Sequence, residues 1–315
     1  MSSPPPLPQS PLASRPPILG TRASPLALAQ ARLVAAALEA AHGWPPGTVV
    51  ILPIRTSGDR IQNRPLAEVG GKALWTKELD GLLLAGDTDL SVHSMKDVES
   101  DRPAELAIAA MLQRADVRDR LIGAASIDDL PQGARVGTSS PRRTAQLLRL
   151  RPDLQIEPIR GNVATRLSKL ASGDYDATLL AAAGLDRLGI VEGCAIEPAQ
   201  MLPAAAQAAI GTECRAGDTR MISLLAAIDH APTSTAVSAE RAFALAVGGS
   251  CHSPLAALAI AGGDGLLWLR AQLLSSDGRD CISGEVRFVP GEPAPQALAA
   301  QLLADAPPSV RTLFA

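Results

Sequence analysis

The sequence DLSVHSMKDVE at residues 89–99 joins a short apolar strand to a tight cluster of polar side chains. Leu90 and Val92 alternate with more polar neighbours, which is the period-two pattern of a strand. The cluster follows where that strand should end and contains His93, Ser94, Lys96 and Asp97. Ligands of open α/β sheets bind outside the carboxyl ends of the strands, so this cluster is a candidate binding site. A solvated turn would carry the same residue types, and the stretch alone leaves both interpretations open.

The composition of the 315 residues limits the classes of protein that fit. The length predicts two or three domains, and a hydrophobic content of 47% supplies substantial cores. Three Phe, three Trp and one Tyr are the only aromatic residues, so the cores must be largely aliphatic. The same scarcity removes the stacking surface that binders of single-stranded nucleic acid use. The net charge of −3 argues against general nucleic-acid or membrane affinity, so we expect neither among the partners.

The sequence shows no targeting or metal-binding signal. No apolar run reaches the roughly 18 residues that a membrane-spanning helix needs. Residues 1–16, MSSPPPLPQSPLASRP, lack the charged and apolar regions of a secretory signal, and their Pro and Ser content predicts a disordered tail. The four cysteines form no CxxC pair, so no zinc or redox motif is indicated. We expect a cytoplasmic protein with reduced thiols and no metal site.

Strand and helix patterns alternate along the chain and predict an α/β fold. Ser24 and Pro25 predict the start of the first long helix, as N-cap and first helical residue. Residues 58–72 predict a mobile lid and residues 114–120 a hinge. We expect domain 1 at residues 17–113 and 207–228, domain 2 at residues 114–206 and domain 3 at residues 229–315. The first two are predicted to be doubly wound α/β domains facing a cleft, and the third a smaller α+β domain.

Basic residues recur at or soon after the predicted strand ends. They are Arg22, Lys72, Lys96, Arg142, Arg143, Arg160, Arg166 and Arg187. A guanidinium binds a carboxylate or phosphate through two parallel hydrogen bonds, so convergence of these residues on one cleft predicts a multiply anionic ligand. The turn of Thr138, Ser139 and Ser140 adds hydroxyl groups and a helix N-terminus, which also favour an anion. Alternatively, each arginine pairs with a nearby acid or solvates the surface.

Asp97 and Cys251 are the candidate reactive groups. A carboxylate amid cations should remain ionised, so Asp97 can stabilise positive charge on a substrate or transfer a proton. His93 fits better as a buried structural histidine. Cys251 lies in the turn GGSCH at residues 248–252, where a thiolate would be a nucleophile or an attachment point. A small buried hydrophobic residue is the alternative role of this cysteine, and its spacing does not separate the two.

Six segments together resemble the porphobilinogen deaminase family, also called the hydroxymethylbilane synthases. They are LGTRASPLAL, GGKALWTKEL, DLSVHSMKDV, VGTSSPRR, IRGNVATRLSKL and AERAFALAVGGSC, in that order between residues 19 and 251. The resemblance implies three domains, of which the first two are similar to periplasmic binding proteins. It implies a transferase that adds four porphobilinogen molecules to a dipyrromethane cofactor, each with loss of ammonia. Hydrolysis then releases hydroxymethylbilane, a precursor of porphyrins and heme.

The resemblance also assigns roles to residues of this chain. It implies that Cys251 carries the cofactor through a thioether bond. It implies that Asp97 is catalytic and interacts with pyrrole nitrogens and a cationic azafulvene intermediate. The other residues implied to bind the cofactor are Asp59, Ser94, Lys96, Thr138, Ser139, Ser140, Arg142, Arg143 and Arg160. The residues implied to bind the substrate porphobilinogen are Arg22, Gln30, Lys72, Arg166, Arg187 and Gln207. A monomer is expected.

Four positions depart from the pattern of many family members. Ala206 and Ala208 replace glycines on either side of Gln207, where a left-handed backbone would be strained. Glu68 replaces a lysine in the predicted lid, which weakens anion attraction there, and Trp75 replaces a phenylalanine. The departures bear on the geometry of the hinge and leave the implied reaction in place.

Two functions of other classes are alternatives. A solute-binding module would use the same two-domain cleft, but it would carry an export signal and need no thiol in a third domain. A regulatory anion sensor would need a DNA-binding element, and none is evident. The missing signal and the matching Cys251 favour the enzyme over both alternatives.

Overall fold

The computed structural model describes residues 15–55 and 76–314. Its strands are β1 (Ile18–Arg22), β2 (Val50–Ile54), β3 (Leu90–Ser94), β4 (Leu106–Met111), β5 (Asp119–Ile122), β6 (Arg135–Gly137), β7 (Gln155–Glu157), β8 (Ala177–Ala181), β9 (Cys194–Ile196), β10 (Ile210–Arg215), β11 (Leu255–Ala261), β12 (Leu267–Leu274) and β13 (Cys281–Phe288). Its helices are α1 (Pro25–His42), α2 (Lys77–Ala85), α3 (Pro141–Leu150), α4 (Val163–Ala171), α5 (Ala182–Arg187), α6 (Thr219–Ala226), α7 (Ala231–Ala246), α8 (Ala294–Asp305) and α9 (Pro308–Arg311). A one-turn 3₁₀ helix spans Met95–Asp97. Within the two described ranges, no helix combines the length and the apolar character needed to cross a membrane.

The first sheet has the strand order β2-β1-β3-β10-β4. β1 pairs in parallel with β2 and β3, whereas β10 lies antiparallel to both of its neighbours, β3 and β4. Helix α1 begins where the sequence predicts. The Ser24 side chain accepts a hydrogen bond from the Ala27 amide, and Pro25 occupies the first turn. The apolar face of α1 packs on β1 and β3 and forms the core beside the sheet.

The second sheet has the strand order β7-β6-β8-β5-β9. β6 pairs in parallel with β7 and β8, whereas β5 is antiparallel to β8 and β9. The predicted α/β class is confirmed, and both sheets contain antiparallel strands where the doubly wound pattern suggested parallel ones. The predicted hinge at residues 114–120 is too long, because Asp119 already belongs to β5.

The third sheet is antiparallel, with the order β11-β12-β13, and helices α7 and α8 pack against it. Phe243 of α7 is fully buried in its core, against leucines of β12. On the other side, Leu258 of β11 packs with Leu202, which precedes the return to the first sheet. A smaller α+β unit at the carboxyl end is therefore confirmed. The exact limits of the three domains stay a prediction, which the division of strands among three sheets supports.

Glu240 on α7 joins the segments that run between the sheets. Its buried carboxylate accepts two hydrogen bonds, at 2.6 and 2.9 Å, from the guanidinium of Arg114, just before the second sheet. It also accepts hydrogen bonds from the amides of Ala206, at 2.6 Å, and Ala259, at 2.8 Å. The charge of Arg114 compensates the buried carboxylate, which is a condition for such a junction to be stable. Glu240 thus fixes the third domain to both segments that connect the first two sheets.

The returning segment has the left-handed geometry that the sequence makes costly. Ala206 and Ala208 have φ angles of 60° and 70°, and both are buried. For a residue with a Cβ, this conformation costs roughly 1–2 kcal/mol. Arg114 Nε donates to the carbonyl of Gln207 at 2.8 Å, and Arg187 Nη2 donates to that of Ala208 at 2.6 Å. The expected strain is therefore present, and two guanidinium groups hold the strained backbone.

Candidate active site

Asp97 lies at the end of the 3₁₀ helix that follows β3, where the sequence predicts a site. Met95, at the start of this helix, is buried and packs against Gly211 of β10. A Cβ atom at position 211 would collide with the Met95 sulfur, so the sheet needs glycine there to seat the turn. Asp97 itself is exposed. The turn therefore has a buried anchor and an accessible carboxylate.

A small pocket opens beside Asp97 and is lined by residues of β1, α1 and β3. Its water-accessible volume is about 70 Å³, comparable with one or two water molecules or a carboxylate group. Arg22, Gln30 and Ser94 line it together with Asp97. The Gln30 amide donates to the Ser94 hydroxyl at 2.8 Å. Four residues predicted for the site therefore meet on the first-domain side of the cleft.

Arg142 and Arg143 begin helix α3, as the sequence predicts, but they are buried instead of open to solvent. Asp119 of β5 accepts a hydrogen bond from Nη2 of each arginine at 2.7 Å. The Nη1 atoms donate to the carbonyls of Leu202 and Leu179 at 3.0 and 2.9 Å. Within the described part of the chain, the Nε atom of each arginine is buried without a hydrogen-bond partner. Protein acceptors thus satisfy only part of each guanidinium.

Lys96 belongs to the first domain and lies within electrostatic range of Arg142 and Arg143. Burial lowers the pKa of Lys96 to about 8, and the nearby charges of Arg143 and Arg142 lower it as well. Asp97 and Asp119 act in the opposite direction without restoring the ordinary value. Burial is the largest cause, so the ammonium group is not fully compensated for the hydration that it has lost. A bound carboxylate would supply that compensation and raise the pKa of the ammonium group.

Arg160 and Arg166 lie at and after the tip of β7. Nη2 of Arg160 is buried without a hydrogen-bond partner. Arg166 Nε donates to the carbonyl of Gly161 at 3.0 Å. Burial lowers the pKa of Arg166 to about 10, with a further contribution from Arg143, while the charge of Asp97 opposes the shift. Arg166 therefore stays protonated at neutral pH and lies within electrostatic reach of Asp97.

The hydroxyl turn before α3 is used mostly as a helix cap. Thr138 is buried, and its Oγ1 accepts a hydrogen bond from the amide of Ser140 at 3.2 Å. The Ser140 hydroxyl accepts from the Arg143 amide at 3.5 Å. Ser139 is exposed and donates to the carbonyl of Ile159 at 2.8 Å. Of the three, Ser139 is the hydroxyl that a ligand can reach directly.

Arg187 and Gln207 bond to the segments that run between the first two sheets. Burial lowers the pKa of Arg187 to about 10, and its Nη2 is bound to the Ala208 carbonyl. Gln207 is fully buried, and its Nε2 donates to the Val117 carbonyl at 2.7 Å and to Asp119 at 3.0 Å. Its Nε2 thus braces the segments between the sheets, whereas its Oε1 is buried without a hydrogen-bond partner among the described residues, and the substrate contact through Gln207 stays a prediction.

Cys251 lies in the turn after α7 and is exposed at the surface. Desolvation by the surrounding protein raises the pKa of its thiol to about 11, and the negative charges of Asp97 and Glu99 add to the shift. The thiol is therefore protonated at neutral pH. The effect of Asp97 shows that the sulfur lies within electrostatic reach of the turn at residues 95–97.

The structure brings together most of the predicted site. The residues that it joins through contacts or charges are Arg22, Gln30, Ser94, Lys96, Asp97, Arg142, Arg143, Arg166 and Cys251. Leu26 of α1 approaches Gly184 of α5, so the two α/β domains meet beside the cleft. Asp59 and Lys72 lie outside the described residues, as do Glu68 and Trp75. Their predicted roles, and that of the lid, stay predictions.

Comparison with known proteins identifies the family. The sequence matches the porphobilinogen deaminase dipyromethane cofactor binding domain over residues 18–223. The chain belongs to the porphobilinogen deaminase family. The C-terminal domain of porphobilinogen deaminase matches residues 234–304. Porphobilinogen deaminase of Sphingopyxis alaskensis is 58% identical over 303 residues, which cover 94% of this chain and 96% of that protein. Porphobilinogen deaminase of Paracoccus denitrificans is 49% identical over 284 residues, which cover 89% of each.

Membership in the porphobilinogen deaminase family confirms the resemblance seen in the six segments. The chain is an enzyme of tetrapyrrole biosynthesis that acts on porphobilinogen and uses a dipyrromethane cofactor. This decides against the solute-binding module and the anion sensor. A solved structure with partial overlap, an ancestral cationic amino acid solute binding protein, is 15% identical with a TM-score of 0.41, and the match covers 66% of this chain and 86% of that one.

The described side chains fit the cofactor of the porphobilinogen deaminase family. Dipyrromethane carries acetate and propionate groups, which accept hydrogen bonds. Three guanidinium groups at the cleft have buried N–H groups without a partner, and they belong to Arg142, Arg143 and Arg160. Buried polar groups are nearly always hydrogen-bonded in native proteins, so these donors indicate a missing acceptor. Carboxylates of the cofactor would also compensate the buried charge of Lys96.

Several residues that shape this porphobilinogen deaminase site were not predicted from the sequence. Asp119 orients Arg142 and Arg143, although it lies 23 and 24 residues before them. The one sequence feature that could have indicated Asp119 is the alternation of charge in RDR at residues 118–120. Arg102 and Arg241, which contact the segment after Asp97, lie outside the predicted set. Their partners are distant in sequence, and no local pattern points to them.

Proposed function

We propose that Asp97 is the catalytic carboxylate and that Cys251 carries the dipyrromethane cofactor in a thioether bond. One observation supports this assignment above others. The negative charge of Asp97 acts on the Cys251 thiol and also on the cations Lys96 and Arg166. A single carboxylate is therefore within electrostatic reach of the attachment sulfur and of the groups that bind anions.

The cations would divide between cofactor and substrate. For the cofactor we propose Lys96 and the arginines with unpartnered N–H groups, Arg142, Arg143 and Arg160, because its carboxylates supply the acceptors that these lack. Ser94, Thr138, Ser139 and Ser140 complete this set, with Ser139 as the exposed hydroxyl. For the substrate we propose Arg22, Gln30, Arg166 and Arg187, which lie around the pocket beside Asp97 or at the facing domain.

Asp97 acts where positive charge develops. Each condensation breaks the carbon–nitrogen bond of the substrate, forms one carbon–carbon bond and releases one ammonia. The proton lost from the receiving pyrrole carbon balances the one that the departing amine takes up, and departure of the amine leaves positive charge on the substrate's pyrrole ring. A fixed carboxylate stabilises that charge without reorganisation of solvent. When bound, the cofactor supplies the pyrrole to which the first substrate is joined. The neighbouring arginines hold the carboxylates of the growing chain, and Lys96 adds a further charge.

Intact mass spectrometry of the native protein tests this proposal. Wild type should carry the mass of the cofactor, and Cys251→Ser should lose both the adduct and nearly all activity. Cys194→Ser and Cys281→Ser are matched controls that should keep both. Asp97→Asn should keep the adduct and lose most of its rate, whereas Asp97→Glu should retain more. An unmodified Cys251 in active protein, or full activity of Asp97→Asn, would contradict the assignment.

We also propose that the enzyme works as a monomer in the cytoplasm without nucleic acid or a membrane. The net charge of −3 supports weak affinity for polyanions and anionic lipids. Size-exclusion chromatography with light scattering should give a mass near 32.5 kDa over a wide concentration range. A concentration-dependent rise in mass would show that the monomer assignment is wrong.

A further inference from the structure

Arg102, in the loop after the catalytic turn, uses all five of its guanidinium N–H groups. Nε and Nη2 donate to the two carboxylate oxygens of Glu213 on β10, each at 2.8 Å. Nη2 also donates to Asp80 on α2 at 2.7 Å. Nη1 donates to Thr76 at 3.3 Å and to the carboxylate of Glu99 at 3.4 Å. The side chain is 9% exposed, so one buried guanidinium joins β10, α2 and the segment that follows Asp97.

Arg241 on α7 holds the same segment from the third domain. Its Nη1 donates to the carbonyl of Val98 at 3.0 Å, and its Nη2 donates to that of Glu99 at 2.6 Å. These two residues directly follow Asp97 in the chain. Helix α7 also leads into the turn that contains Cys251. One side chain therefore connects the backbone behind the catalytic carboxylate to the helix before the attachment cysteine.

We propose that Arg102 and Arg241 are positioning residues that fix Asp97 relative to Cys251. Arg102 acts through the Glu99 carboxylate and the buried network below it, and Arg241 acts through two backbone carbonyls. The inference rests on the proposed function, in which Asp97 is the catalytic group. Displacement of a reacting group by about 1 Å can lower a rate by about a hundredfold, so small changes at these contacts should be measurable.

Arg102 compensates the buried carboxylates of Glu213 and Asp80, so its replacement changes the charge balance of both. Burial alone would raise the pKa of Glu213, but hydrogen bonds from His93 and Arg102 outweigh it and lower the pKa to about 2. Burial raises the pKa of Asp80, and Arg102 opposes this shift. Loss of Arg102 alone therefore leaves two buried carboxylates without their cation. Removing Glu213's charge at the same time should restore part of the balance, because both partners of the pair are then gone.

The experiment measures kcat and KM for porphobilinogen on protein whose adduct is verified by intact mass. Arg241→Gln and Arg102→Met should keep the adduct, lower kcat ten- to hundredfold and change KM less than threefold. In an Asp97→Asn background, Arg241→Gln should lower the remaining kcat less than threefold, because the carboxylate that it positions is already neutral. Arg102→Met with Glu213→Gln should regain part of the lost kcat.

A matched control is Arg120→Met, which removes an arginine from a 2.6 Å ion pair with Asp186. It should leave kcat unchanged.

The outcomes separate this inference from the proposed function. Full activity of Asp97→Asn overturns the role of Asp97 and the inference together. An inactive Asp97→Asn with wild-type kcat in Arg241→Gln overturns the inference alone, as does an equal loss from Arg241→Gln with and without the Asp97 charge. If Arg102→Met fails to fold, shown by circular dichroism, the Glu213→Gln double variant and Arg241→Gln decide the question.

Discussion

Replacement of Asp119 measures how much the stability of the fold depends on the one carboxylate that binds Arg142 and Arg143. Its two oxygens accept hydrogen bonds from Arg142 and Arg143, and its side chain is 1% exposed. Burial would raise the pKa of Asp119, but the charges and hydrogen bonds of the two arginines outweigh it and hold that pKa far below the ordinary 3.8. The carboxylate is therefore ionised wherever the protein is folded at ordinary pH.

Replacing Asp119 by Asn keeps the shape and removes the charge. Loss of one partner from a buried ion pair typically costs about 3–5 kcal/mol, because the remaining cation is left buried and uncompensated. Asp116 is the matched control, since it binds Arg118 at a similar 2.8 Å but in a pair that is 25% and 36% exposed. An exposed pair of this kind contributes roughly 0–1 kcal/mol. Asp119→Asn should therefore destabilise the fold by at least about 2 kcal/mol more than Asp116→Asn.

Urea denaturation of the cofactor-free protein at pH 7 measures this difference. The sign of the pH dependence follows from the lowered pKa: the stabilisation is present above the unfolded value of 3.8 and is lost as pH falls below it. The gap between wild type and Asp119→Asn should thus stay constant from pH 5 to 8 and shrink below about pH 4. The same variant should load less cofactor, because Arg142 and Arg143 lose their orientation. Equal destabilisation by Asp119→Asn and Asp116→Asn would refute this reasoning.

Three further predictions concern the thiol, the lysine and the strained segment. Asp97→Asn should speed alkylation of Cys251 by iodoacetamide several-fold in cofactor-free protein at pH 8, because it removes a negative charge that raises the thiol pKa. An unchanged rate of alkylation would contradict this prediction. Loading of the cofactor onto cofactor-free protein should fall as pH rises through about 8, where Lys96 loses its proton, and Lys96→Arg should abolish that fall when the adduct is followed by intact mass against pH. Ala208→Val should lower stability by more than about 2 kcal/mol, whereas Ala208→Gly should stay within about 1 kcal/mol of wild type in urea denaturation.

The features that the sequence predicted depend on local patterns. Helix α4 has the bounds Val163–Ala171 that its sequence indicates, because Asn162 caps it and its apolar residues recur with helical spacing. The tip of β3 was predictable for the same reason, since an alternating strand ended where charged residues began. Ser24 and Pro25 marked the start of α1 through capping chemistry alone. Such signals lie within a few residues of the structure that they specify.

The features that the sequence left open depend on distant partners. Arg102 and Glu213 are 111 residues apart, and nothing near either residue specifies the other. The predicted arginine cluster was present, but the selection of Asp119 as its counter-ion required β5 to pair with β8. The raised pKa of Cys251 likewise follows from desolvation by the folded chain, to which the approach of Asp97 adds. The electrostatic environment of a group depends on the packing of the whole molecule. Composition and motifs could therefore predict where the site lies, but they could not predict how its charges are balanced.

The position of β10 has a consequence for synthesis of the chain. β3 and β4 are close in sequence, yet both pair with β10, which lies between them. During translation, the strand that leads into Asp97 therefore has an open edge until residues 210–215 leave the ribosome. The delay spans roughly 110 residues, or about 5–20 s at typical rates of translation. The whole second sheet emerges in that interval and can form first. We expect the nascent enzyme to complete the environment of Asp97 late, and a chain that stops before β10 to expose a strand edge prone to aggregation.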